Sequence, residues 1–213
     1  MEGLIDKTLK YVKDYFQNDA SGHDFYHTFR VYKLAISIAK QENADIGLTA
    51  IIALLHDVDD CKLVGKDGEL FKNVRKYLTS NNIDNATIDL ICSEISKISF
   101  KGDGKKCPET LEGKIAQDAD RIDDLGAIGI ARTFTYGGSI GRMIYSPEVA
   151  IRETVSEADY LNNSGTTIGH FYEKKLKLLD LINTEEGKKI ALTRTNYVKE
   201  YLKEFFDEWE GKK

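Results

Sequence analysis

The chain is predicted to fold as an all-α protein, and three observations carry that prediction. Only two prolines, Pro108 and Pro147, interrupt 213 residues. Apolar residues recur at helical spacing through most of the length. No stretch alternates apolar and polar residues between hairpin turns, as strands would.

The spacing predicts helices near 2–17, 24–42, 46–58, 68–80, 84–97, 111–133, 147–160, 168–182 and 185–210. The first sets Leu4, Ile5, Leu9, Val12 and Phe16 among charges. In the second, Asp24 suits an N-cap, and Val31, Leu34, Ala35 and Ile38 continue one face. The third carries the row Ile52, Leu55, His56, and the next two follow the same periodicity. Within 111–133, Ala116, Asp120, Asp123/Asp124 and Ala127 form a face of small and acidic residues. Ser146 before Pro147 and Glu148 suits a helix entry. So does Thr184 before Glu185 and Glu186, where a stripe of Ala191, Val198, Leu202, Phe205 and Trp209 follows.

Three loops are expected, at 101–109, 136–146 and 162–169. The glycines from Gly137 to Gly141 lack a Gly-Lys-Ser/Thr ending and no strand precedes them, so a phosphate loop is excluded. Without repeats, low-complexity tracts or a clear linker, residues 1–213 read as one domain.

With 41% hydrophobic residues the chain can bury a full core. A net charge of −5 argues against broad nucleic-acid binding, but a local group of Lys and Arg could still take a small phosphorylated molecule. No apolar run suits a signal peptide or a membrane span. Cys61, Cys92 and Cys107 form no CxxC pair and read as reduced thiols, which points to the cytoplasm.

Function is legible in the rare residues. Of four histidines, His23, His27 and His56 lie near the N-terminus. His27 starts the apolar face of the second helix, His56-Asp57 ends the third, and Asp120 sits on the small acidic face. A lone inward histidine is ordinarily a hydrogen-bonded core residue, and a lone aspartate a cap. Together, two imidazoles and two acids on apolar faces are harder to explain that way. Two carboxylates about 4 Å apart repel by roughly 4 kcal/mol at an intermediate dielectric, and a divalent cation turns that repulsion into attraction. Nitrogen and oxygen donors without thiolate suit Mn²⁺, Fe²⁺, Co²⁺, Ni²⁺ or Zn²⁺ better than Ca²⁺. Such an ion favours hydrolysis, by acidifying a water and polarising a phosphoryl group.

These residues resemble the HD-domain phosphohydrolases, whose signature is a His, a later His-Asp pair and a distant Asp: here His27, His56-Asp57 and Asp120. Further stretches are similar to a small stand-alone bacterial branch, among them Gly22-His23-Asp24-Phe25-Tyr26-His27, Ala53-Leu54-Leu55-His56-Asp57-Val58-Asp59-Asp60, Gln117-Asp118-Ala119-Asp120-Arg121-Ile122-Asp123 and His170-Phe171-Tyr172-Glu173-Lys174. The resemblance implies an HD-type helical bundle with a metal between helices. It also implies hydrolysis of (deoxy)nucleoside triphosphates to monophosphate and pyrophosphate, with one Mn²⁺ (or Fe, Co, Ni, Mg or Zn) on His27, His56, Asp57 and Asp120.

Asp60, one turn after Asp57, is the expected proton acceptor; the alternative for it and Asp59 is a solvated helix end. Arg30, one turn from His27, is the expected partner of developing phosphate charge, with Lys97, Lys101, Lys114 and Arg121 as further substrate contacts. His23 precedes the cap at Asp24 and is expected to touch substrate or support the ligands. A nucleoside monophosphate phosphatase and a non-catalytic metal and nucleotide sensor are the competing functions. The expected partner is a small nucleotide, without nucleic acid or membrane, and the chain is expected to be a monomer or homodimer.

Overall fold

The computed structural model describes residues 2–17, 24–59, 71–99, 106–152 and 165–213. His23, Asp60, Cys61 and Lys101, singled out above, lie outside them. Among the described residues there is no strand, and the protein is all-α. Two compact units divide the chain, the first reaching Asp120 and the second starting at Arg121.

The first unit contains α1 (Glu2–Tyr15), α2 (Phe25–Glu42), α3 (Ile46–Leu55), α4 (Lys72–Ser80), α5 (Asn85–Ile95) and the larger part of α6 (Leu111–Asp123). Helix α3 is its centre. Every residue from Thr49 to Leu55 is buried, so α3 is apolar all round, and α1, α2 and α5 pack against it. Starts are set by short acidic side chains. Asp24 accepts from the His27 amide (2.7 Å), Asp45 from Leu48 (2.9 Å) and Asp84 from Thr87 (3.0 Å). Asp59 is not a solvated end: it accepts from the Asn73 side chain (2.8 Å) and the Val74 amide (2.9 Å) at the start of α4.

The predicted helix 111–133 is in fact two. Asp124 and Leu125 donate to Arg121 and Ile122 in tightened three-residue steps, and Gly126 then adopts φ +69°. That left-handed conformation suits glycine, and it ends α6. The chain restarts as α7 (Gly126–Ser139), so the expected loop at 136–146 begins only after Ser139. The expected helix 147–160 is not helical over its described part, 147–152. Ser146 Oγ does accept from the Glu148 amide (3.2 Å), but only a turn results. The predicted 168–182 divides at Lys174 into α8 (Thr167–Glu173) and a 3-10 segment (Lys175–Leu181), and α9 (Glu185–Trp209) follows.

In this second unit α9 packs on α7 and on the 3-10 segment. Ile168, Phe171, Val198 and Leu202 form its buried centre, ringed by Phe134, Tyr145, Tyr201 and Phe205. No helix among the described residues is long and apolar enough to cross a membrane.

Candidate metal centre

Three helix ends in the first unit converge. His27 lies in the first turn of α2, where the Asp24 cap orients the backbone and Val31, Ala35 and Ile38 bury the same face. His56 closes α3 as its C-cap, and Asp57 follows in the turn. Asp120 comes from α6, whose neighbours Ala116 and Ala119 are small and buried, leaving room for the approach.

His27 Nε2 stands 3.4 Å from Asp57 Oδ2 and 3.4 Å from Asp120 Oδ1. His56 Nε2 stands 3.4 Å from Asp57 Oδ2 and 3.8 Å from Asp120 Oδ1. The two imidazoles are 5.4 Å apart at 70°, and His27, His56 and Asp57 are all buried. Burial alone would raise the Asp120 carboxyl, but His27 and His56 facing it hold it below the ordinary carboxylate range, with Asp57 opposing.

Whether this group fits a metal is decided by His56. Its Nδ1 lies 2.8 Å from the Ala53 carbonyl, which can only accept, so Nδ1 carries the proton. In the neutral ring Nε2 is then a bare lone pair. It is buried without a hydrogen-bond partner, and its neighbours are carboxylate oxygens, also acceptors. An electrophile resolves that arrangement, and a backbone carbonyl on the other nitrogen is how ligating histidines are usually held. Donors about 2.1 Å from a common ion stand about 3.0–3.5 Å apart at octahedral to tetrahedral angles, close to the spacings here. His27, His56 and Asp57 can hold a divalent ion.

Arg30 is partly buried on α2, and Lys114 lies part-exposed on α6. Lys97 pairs with Glu109 (2.9 Å) and Glu94 (3.6 Å). Arg121 is buried and donates to the Leu181 carbonyl, which anchors it within the second unit.

Two residues that sequence reasoning missed set α6 and thereby Asp120. Burial alone would raise the Glu94 carboxyl, but the Thr110 hydroxyl (2.7 Å), the Thr110 amide (2.9 Å), the Glu109 amide (3.2 Å) and nearby Lys97 keep it below the ordinary range. It occupies the start of α6 so closely that a Cβ on Gly113 would lie 2.1 Å from its Oε2. Gln117 donates to the Lys97 (2.6 Å) and Lys106 (2.8 Å) carbonyls. Neither has a local sequence signature, because the backbone groups they bond lie 11 to 20 residues away.

Known proteins resemble this chain over most of its length. The HD domain family matches residues 24–125, which include all four converging side chains. Bacillus subtilis YpgQ is 32% identical over 196 residues, 91% of this chain and 88% of YpgQ. Its structure in complex with ADP has a TM-score of 0.76 at 30% identity, covering 96% of this chain and 97% of that one. A Lactobacillus plantarum protein of known structure reaches 0.85 at 36% identity, covering 99% of each chain. An HD-superfamily hydrolase from Bacillus thuringiensis reaches 0.77 at 38%, covering 98% of each. The chain belongs to the HD superfamily of hydrolases, and by that membership is a metal-dependent phosphohydrolase.

Proposed function

We propose that the protein hydrolyses (deoxy)nucleoside triphosphates to the monophosphate and pyrophosphate, with residues 1–213 working as one HD-type domain and Mn²⁺ as the resident ion. The observation that carries this reading is the buried meeting of two imidazole nitrogens and two carboxylates, with His56 Nε2 lacking any donor. The ADP held by YpgQ supports a nucleotide as the substrate class. Mn²⁺ suits nitrogen and oxygen donors without thiolate, and neither Cys92 nor Cys107 joins the group.

His27, His56, Asp57 and Asp120 would hold the ion. When bound it supplies Lewis-acid chemistry, making a water nucleophilic near neutral pH and polarising the phosphoryl group. In the reaction the water oxygen bonds to the α-phosphorus. The bond from that phosphorus to the α–β bridging oxygen breaks, and pyrophosphate leaves with the electron pair. Asp60, three residues after Asp57 in the sequence, is proposed to accept the water proton. Arg30, one turn along α2 from His27, is proposed to face the charge that grows on the phosphate oxygens, and His23, Lys101 and Lys114 to contact substrate. The Ala53 carbonyl keeps the proton of His56 on Nδ1, so Nε2 presents its lone pair.

The test is direct. Pure protein is incubated with Mn²⁺ and a panel of nucleoside triphosphates, and the products are separated by ion exchange. Equal monophosphate and pyrophosphate are expected. Orthophosphate released from nucleoside monophosphates, with triphosphates untouched, would replace this reading with that of a 5'-nucleotidase. Binding without any turnover would indicate a sensor.

A further inference from the structure

One residue of the metal centre stands beyond a helix. His27 lies within α2, Asp120 lies within α6, and the Ala53 carbonyl locks the His56 ring to α3. Asp57 comes one residue after that C-cap, in a turn over 56–59. There the Val58 amide donates to the Leu55 carbonyl (3.1 Å), three residues back instead of the four of an α-helix. What the turn is tied to therefore bears on where the Asp57 carboxylate stands.

Asp59, two residues on, makes such a tie. Its Oδ1 accepts from Asn73 Nδ2 (2.8 Å) and its Oδ2 from the Val74 amide (2.9 Å). Both donors belong to the first turn of α4, where backbone dipoles favour a negative group. Tyr15 of α1 hydrogen-bonds the same Asn73 side chain. Helix α4 is itself joined to α1, since Tyr77 stacks on Tyr11 (4.1 Å, 15°) and its hydroxyl meets the Thr8 hydroxyl at 2.9 Å. It also packs on α5. The turn is thus fastened to a helix that is fastened in its own right.

The way α4 starts sets it apart from its neighbours. Helices α2, α3 and α5 take their caps from the residue just before them, Asp24, Asp45 and Asp84, and α8 and α9 do the same with Thr166 and Thr184. The residue before α4 is Phe71, which makes no side-chain cap and adopts φ +59°. A bulky residue in the left-handed region is strained, and it persists where the surrounding structure over-determines it. The cap comes instead from Asp59, 15 residues before Val74 in the sequence. A helix without a local cap takes one from the turn that carries Asp57.

We propose that Asp59 is a positioning residue of the metal centre. By capping α4 it fixes the turn after α3, and so holds the Asp57 carboxylate against His27 and His56. It acts through the geometry of its two hydrogen bonds, not through its charge. This rests on the reading of His27, His56, Asp57 and Asp120 as metal ligands given above.

Titrating the full-length protein with Mn²⁺, with free ion followed by electron paramagnetic resonance, measures metal affinity without turnover. Asp59→Ala removes both bonds and is expected to weaken Mn²⁺ binding about tenfold, the lower end for losing a group that orients a ligand. Asp59→Asn is expected to stay within about twofold of wild type, because its oxygen can face the Val74 amide while Asn73 turns its own amide over to offer an oxygen. Asp84→Ala removes a cap of the same kind from α5, where Thr87 is the partner. It is expected to melt at a lower temperature with Mn²⁺ affinity unchanged.

A wild type that takes up no Mn²⁺, or an Asp57→Ala variant that binds it equally well, would overturn the ligand reading and this proposal together. Where wild type binds and Asp57→Ala does not, three results overturn this proposal alone. Asp59→Ala could keep full affinity. Asp59→Asn could fall as far as Asp59→Ala, which would assign the effect to charge. Asp84→Ala could fall equally, which would assign it to stability at large. If circular dichroism shows Asp59→Ala unfolded, Asn73→Ala decides, since it cuts one of the two bonds. About threefold weaker binding is then expected, and unchanged affinity overturns the proposal.

Discussion

The two units solve opposite electrostatic problems. In the first, two imidazole nitrogens meet two carboxylates at 3.4 to 3.8 Å. In the second, cations converge, and Asp124 is the carboxylate on which they all meet. The first group suits a cation, whereas in the second the carboxylate is itself the partner of the cations. An acid therefore has a different meaning in each place. Asp57 crowds other acceptors, whereas Asp124 neutralises donors.

The largest effect expected from this contrast is on turnover. Asp57→Ala should lower phosphohydrolysis by more than about 100-fold, beyond what losing an outer hydrogen-bond partner of a ligand costs. Elemental analysis should find the metal gone as well; full activity with full metal would remove Asp57 from the site. Next comes stability in the second unit. Asp124→Ala removes the carboxylate on which Lys174, Lys175 and Arg132 meet and should cost about 3 kcal/mol in urea unfolding, as breaking a partly buried ion pair does. An unaltered midpoint would mean the cations do not depend on it.

Gly113→Ala drives a methyl against Glu94 and Pro108, both within 3 Å, and should cost about 2 kcal/mol by overpacking. Smaller still, and opposite in sign, is Asp57→Asn in chelator at pH 8. It replaces an acceptor with a donor beside His56 Nε2 and should raise stability by about 1 kcal/mol. A fall there would show that the imidazoles, not the carboxylates, dominate the charge of the empty group.

The last prediction concerns acid. Because Glu94 has a folded pKa below its unfolded value, its contribution is complete above the ordinary carboxyl range. It is lost as pH drops through the folded value. Glu94→Gln should therefore destabilise the protein by about 1 kcal/mol at pH 7 and by less at pH 3. An equal loss at both, in parallel denaturant titrations, would assign the effect to shape instead of charge.

The sequence made local features easy to read and distant ones hard. The Asp24 cap was visible because its acceptor is three residues from its donor. His27, His56, Asp57 and Asp120 stood out because histidine is scarce and aspartate on an apolar face is costly. The break between α6 and α7 did not show, since glycines at 126 and 129 are tolerable in a helical pattern. It depends partly on Arg194, which bonds the Ile122 carbonyl from 72 residues away. Lys174 and Lys175 had no assigned role until the fold carried them to Asp124. His23, Asp60 and Lys101 lie outside the described residues.

One carboxamide has a reach disproportionate to its size. Gln117 ties the chain at Lys97 and at Lys106 to the helix that bears Asp120, three residues further on. Those two backbone points are therefore held to one helix by a single side chain. Hydrolysis of that amide to Glu, a slow chemical ageing reaction, would replace two donated hydrogens with an anion facing two carbonyl oxygens. Protein that has aged in this way should lose the setting of α6 while every proposed ligand remains chemically intact.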